Sequence, residues 1–123
     1  MSNNLRHKLP PFQHISRVIE LGVKESNLPS EDVDINPMVS ICKNIYAITG
    51  LMVNDYTLEK TSDDTVIHTW VFPLDLDYHR SLTLNLKTLT DTIDESINSQ
   101  FDYVDTEIKG IGLSIYVKAT ILI

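Results

Sequence analysis

The residues best placed to do chemistry are His68, Asp75, Asp77, Tyr78 and His79. If residues 75–79 are extended, Asp75, Asp77 and His79 share one face. An Asp-x-Asp-x-His run of this kind offers oxygen and imidazole ligands to a divalent cation, and with it the chemistry of a small metal-dependent hydrolase. His68 lies on the preceding apolar run and joins the group only if the connector folds back. The competing reading is structural: Asp and His are ordinary connector residues, and a His two residues from Trp70 in a strand reads as a hydrogen-bonded sheet histidine. The structural reading is preferred. Cys42, the single cysteine, sits mid-stripe among apolar residues and reads as a small buried hydrophobe rather than a nucleophile. No catalytic residue, metal ligand or cofactor is therefore assigned.

Other chemical motifs are missing from the sequence. Only four glycines occur, Gly22, Gly50, Gly110 and Gly112. Gly110-x-Gly112 lies between two strand-like runs, so it reads as a hairpin turn and not a phosphate cradle. There is no Gly-x-Ser-x-Gly elbow, and one cysteine with scattered histidines forms no zinc pattern. Asp63-Asp64 reads as a turn former. His7 and His14 read as solvated or helix-start residues. Tyr56, Trp70 and Tyr116 would make a binding platform if they shared an open sheet face; cross-strand packing is the reading preferred for them.

The elements that must position these residues follow from periodicity. Pro10-Pro11 opens a helix to about Ser26, with Phe12, Ile15, Ile19 and Val23 as its stripe and Val18 widening it. Asn36-Pro37 reads as the N-cap and first position of a second helix, carrying Met38, Ile41, Cys42, Ile45, Ile48 and Met52, with Gly50 as its left-handed cap. Leu51–Lys60 and Thr65–Phe72 read as a hairpin joined by residues 61–64. The second of these strands is apolar or large on both faces, as expected of a central strand. Residues 81–84 are open to a short strand, and a helix is predicted from about Asn85 to Ser99, with Asp91, Asp94, Glu95 and Asn98 outward. Phe101–Ile108 and Leu113–Ile123 form a closing hairpin around the Lys109–Gly112 turn. In the last strand Leu113, Ile115, Val117, Ala119, Ile121 and Ile123 share one face. An Ile-Leu-Ile ending must be paired, covered or docked. The fold class expected is α+β: two N-terminal helices and an antiparallel sheet of four to five strands, with a third helix between two hairpins.

A chain of 123 residues is one domain by size. Residues 1–9 are expected to be a mobile basic arm, and 10–123 a single domain. Net charge is −7, but Arg6, Lys8, Arg17 and Lys24 face only Glu20 within the first 24 residues, and the remainder is strongly acidic. An acidic body disfavours nucleic acid. No secretory signal or membrane-length apolar run is seen, so a cytoplasmic or virion-associated protein is expected.

The reading carried forward is a non-catalytic assembly subunit. Copies would associate with one another or within a larger assembly, using Arg6, Lys8 and Arg17, the apolar terminus Ile121, Leu122 and Ile123, and the acidic Asp91, Asp94 and Glu95. The alternative is an acidic inhibitor or regulator that covers a basic surface of a host protein through Asp91, Asp94, Glu95, Asp102, Asp105 and Glu107. The hairpin ending HTWVFPLDL, the acidic helix LTDTIDESI and the closing FDYVDTEI–GLSIYVKATILI pair resemble, in their order over residues 38–123, small phage tail-terminator or tail-completion subunits. That resemblance implies α+β domains packed into rings that close a tail tube. It concerns pattern alone and implies no particular site residue.

Overall fold

The computed structural model describes residues 10–62, 65–74, 86–102 and 104–122. Among these, helix α1 (Pro11–Lys24), a 3-10 turn (Ser30–Asp32) and helix α2 (Asn36–Thr49) precede strands β1 (Asp55–Ser62) and β2 (Thr65–Pro73). Helix α3 (Leu86–Asn98) and strands β3 (Val104–Ile111) and β4 (Ser114–Leu122) follow. The sheet order is β1-β2-β4-β3, and all neighbours are antiparallel. The chain is α+β, as its periodicity predicts. Because β2 and β3 both run against β4, they are parallel to each other. Helix α3 makes the crossover between them, and β4 returns to fill the gap.

One core joins the helices to one face of the sheet. Ile15, Ile19 and Val23 of α1, Met38, Ile41, Cys42 and Ile45 of α2, and Ile93 and Ile97 of α3 meet Tyr56, Leu58, Trp70, Phe72, Ile115, Val117 and Ala119. Strand β2 is the central strand expected: its even residues are buried and its odd residues half-buried. The β4 alternation also holds, with Ile115, Val117, Ala119 and Ile121 buried. The last described residues are held within the sheet, where Ile121 pairs with Val66 and Leu122 with Thr65.

Several boundaries differ from expectation, each for a local reason. Asn36 is the first residue of α2 and not its cap; its N–H is accepted by Asp34 Oδ1 at 3.0 Å. Gly50 does cap that helix, at φ 78°. Ile48, placed in the buried stripe, is exposed, and Thr49 is buried instead. Leu51 and Val53 are buried with a period of two yet lie outside any strand. Asn54 still bonds the Val71 carbonyl that faces Asp55, which shifts the register, and Pro73 further along has no N–H to give to a ladder, so the regular pairing of β1 begins only at Asp55. Strand β3 starts three residues later than expected because Gln100 and Phe101 still bond back to the Ile97 carbonyl at the end of α3. Gly110 and Ile111 then remain in the ladder, and the turn is Gly112-Leu113 alone. Gly112, at φ 61°, supplies the positive φ that a two-residue hairpin turn needs. Leu113 is exposed and does not join the buried face. The strand considered for residues 81–84 lies outside the described residues.

Helix α1 lies across β1 with a close approach at Gly22. A Cβ on Gly22 would fall on the Tyr56 carbonyl oxygen and ring. Alanine ordinarily gains about 1 kcal/mol over glycine inside a helix. Here that gain is outweighed, because the obstacle is strand backbone. Gly22→Ala should destabilise the fold by about 1–3 kcal/mol, read as a lower urea midpoint; an unchanged or higher midpoint would refute this packing.

Candidate functional site

The sheet's core face carries a row of rings. Tyr56 lies directly opposite Trp70 in the β1–β2 ladder, and His68 is two residues along on the same face. His68 stacks on Trp70 with centroids 5.5 Å apart and planes 9° from parallel, and Phe101 closes its other side at 5.2 Å. Tyr56 Oη and His68 Nδ1 are 2.6 Å apart. Burial, with a smaller contribution from Cys42, pushes the Tyr56 phenol well above its usual range, so it keeps its proton. One short hydrogen bond joins the phenol and Nδ1, and its direction follows the imidazole tautomer. Burial lowers the His68 pKa to about 4, so the ring is neutral at pH 7. The indole N–H of Trp70, also fully buried, has no acceptor among the described residues.

His68 is thus the hydrogen-bonded sheet histidine that its setting beside Trp70 suggests. Its Nδ1 is already hydrogen-bonded to Tyr56. Asp75, Asp77, Tyr78 and His79 lie outside the described residues, and among the described residues no group of three or more His, Cys, Asp or Glu side chains comes together as metal ligands. Cys42 is fully buried, and desolvation pushes its thiol far above the usual range. The aromatic platform does not form: Tyr56 and Trp70 are buried beneath the helices, whereas Tyr116, on the other face, is exposed. His14, read as solvated or helix-starting, is half-buried and donates from Nε2 to the Val53 carbonyl at 3.1 Å.

The exposed candidates divide between two flanks. Helix α2 packs against both α1 and α3. On the outside of α1, Arg17 and Lys24 are exposed, and Lys43 of α2 reaches over the Phe12 ring, its Nζ 5.0 Å from the centroid. Phe12 and Leu21 are half exposed on this same side. On α3, Asp91, Asp94 and Glu95 are exposed, with Asp91 paired to Lys87 at 2.9 Å. Asn44 of α2 donates to the buried Ser96 Oγ at 2.7 Å and fixes α3 in place. Arg6, Lys8 and Ile123 lie outside the described residues. Leu122 is held in the β4 ladder, and Ile121, at 7% exposure, belongs to the buried face and offers no surface to a partner.

The six acids of the alternative reading do not form one surface. Asp105 and Glu107 pair with Thr120 and Lys118 on the side of the sheet away from the core, whereas Asp91, Asp94 and Glu95 stand on the helical side.

No helix among the described residues is long and apolar enough to cross a membrane. No protein-family model matches the chain, and no curated protein is similar to it in sequence.

The neutral imidazole gives the fold a pH dependence of known sign. The unfolded chain binds a proton at His68 near pH 6.5, whereas the native chain does so only near pH 4. Between those values the unfolded state holds more protons. Stability is therefore full above about pH 6.5 and falls as pH drops toward 4, by up to about 3 kcal/mol. Other carboxylates and histidines also titrate there, so the difference between wild type and His68→Gln is the quantity to measure. The variant should lose stability at pH 7 and show a shallower decline in unfolding free energy between pH 6.5 and 4.5; equal slopes would refute a buried neutral His68.

Proposed function

We propose that the chain is an assembly subunit that acts through protein–protein contacts, joining copies of itself head to tail. The observation that carries this is the separation of exposed charge: Arg17 and Lys24 on α1, Asp91, Asp94 and Glu95 on α3, with α2 packed against both. Opposite charges at two separate faces of one molecule are self-complementary in the heterologous sense. Such a contact repeats into a ring or a filament and does not close at two copies. The half-exposed Phe12 and Leu21 beside the basic residues supply apolar area that a purely electrostatic contact would lack.

This reading is consistent with a virion component, and the tail-terminator or tail-completion role is the particular proposal made within it. The reading as an inhibitor of a basic protein draws on a smaller surface, because its acids are split between the two sides of the sheet.

Native mass by light scattering tests the proposal. The mass should rise above the 14.0 kDa of one chain as concentration increases, and the rise should shrink at high salt, which screens exposed charge. Arg17→Glu with Lys24→Glu should lower the association without changing the melting temperature by more than a few degrees, since both residues are exposed. A wild-type monomer at every concentration and salt would overturn it.

A further inference from the structure

The two edges of the sheet are finished differently. At β1 the edge is partly covered: α1 approaches it at Gly22, and the Asn27 amide bridges its backbone further along. Asn27 Oδ1 accepts from the Lys60 N–H at 3.2 Å, and Asn27 Nδ2 donates to the Lys60 carbonyl at 3.3 Å. That side chain does for Lys60 what a neighbouring strand would do. At β3, among the described residues, no such cap is present along the outer edge.

The backbone groups that β3 turns outward can be identified. The Leu113 carbonyl accepts from Leu74, on the β2 side. Odd residues of β4 therefore bond toward β2, and even residues toward β3. Ser114, Tyr116, Lys118 and Thr120 take up Ile111, Lys109, Glu107 and Asp105. The groups left facing outward are those of Val104, Thr106, Ile108 and Gly110. The side chains of Asp105, Glu107 and Lys109 stand on the uncovered sheet face, where Glu107 and Lys109 form an exposed ion pair at 3.3 Å.

We infer that β3 is the pairing edge for a second copy of this chain, antiparallel and centred on Ile108. This deepens the reading of the chain as a self-associating subunit and rests on it. Charge selects the register. Centred on Thr106, a two-fold pairing would set Asp105 against Glu107 twice. Centred on Glu107 it sets the two glutamates face to face, although it also places Asp105 opposite Lys109 twice, and centred on Lys109 it opposes two lysines. Centred on Ile108, each Glu107 lies opposite Lys109 of the second copy, twice over. Ile108 then meets Ile108, and Thr106 meets Gly110, all with outward backbone groups in position to bond. Glu107 would lie between Lys118 of its own chain and Lys109 of the other. Charged residues on an edge strand commonly serve to prevent pairing. Of the two-fold registers centred on Thr106, Glu107, Ile108 and Lys109, only the one centred on Ile108 pairs opposite charges and leaves no like-charged pair, which is how charge specifies a partner.

Charge reversal, separately and mixed, provides the test. Wild type should show a component of about 28 kDa, twice the 14.0 kDa chain, that persists in Arg17→Glu/Lys24→Glu. Lys109→Glu and Glu107→Lys each turn both cross-strand pairs repulsive and should weaken that dimer roughly tenfold, with circular dichroism melts confirming the fold. An equimolar mixture of the two should recover it, because a chain with glutamate at both positions then faces a chain with lysine at both. A wild-type oligomer indifferent to both reversals would overturn β3 pairing and leave self-association standing. Wild-type monomer throughout would overturn both. Dimers weakened by each reversal but not restored on mixing would overturn the Ile108-centred register.

Discussion

A hydroxyl and an imidazole are buried in the same apolar layer, and the fold depends on their satisfying each other. Left unpaired, either would cost about 1–3 kcal/mol, a large share of the stability of a domain this size. Tyr56 meets the requirement with His68 through one short bond. The same residue also sets the helical layer, because its carbonyl and ring leave room above β1 only for a glycine of α1. Trp70, opposite Tyr56 in the ladder, stacks on His68. Helix α1, both strands of the first hairpin and the end of α3 at Phe101 are thus positioned around one ring cluster.

The arrangement commits His68 and Cys42 to structure. A neutral histidine whose Nδ1 is occupied and a thiol held protonated by burial contribute packing and a pH-dependent stability. Among the described residues, the surfaces open to other molecules include a helix flank carrying Arg17 and Lys24, another carrying Asp91, Asp94 and Glu95, and a sheet edge at β3.

The sequence was informative where one period governed a whole element. The two-residue period of Ser114–Leu122 and the stripes Ile15-Ile19-Val23 and Ile93-Ile97 name their own buried faces. It misled where a local pattern had no partner or an unseen one. Leu51 and Val53 alternate as a strand would, but among the described residues neither enters the β1–β2 ladder. Gly110 reads as a turn residue, yet the positive φ is at Gly112. The Tyr56–His68 bond joins residues 12 apart, and the Asn27 clamp residues 33 apart. Both depend on strand register and helix placement, which no local window contains. The charged faces were legible as composition. Their separation onto two flanks was not, because it depends on α2 packing against both α1 and α3.

The two kinds of surface differ in symmetry, and that bears on what an assembly of this chain could be. Opposite charges on α1 and α3 bring unlike surfaces together, a contact that propagates. A strand edge whose Glu-x-Lys complements itself brings like surfaces together, a contact that closes at two. A two-fold axis perpendicular to the sheet keeps both helical layers on one side. Edge pairing and flank contacts therefore need not compete for the same residues. On the proposals above, a chain carrying both would have the elements of a closed ring of paired subunits, and the partial cover on β1 makes that edge a poorer strand partner than β3.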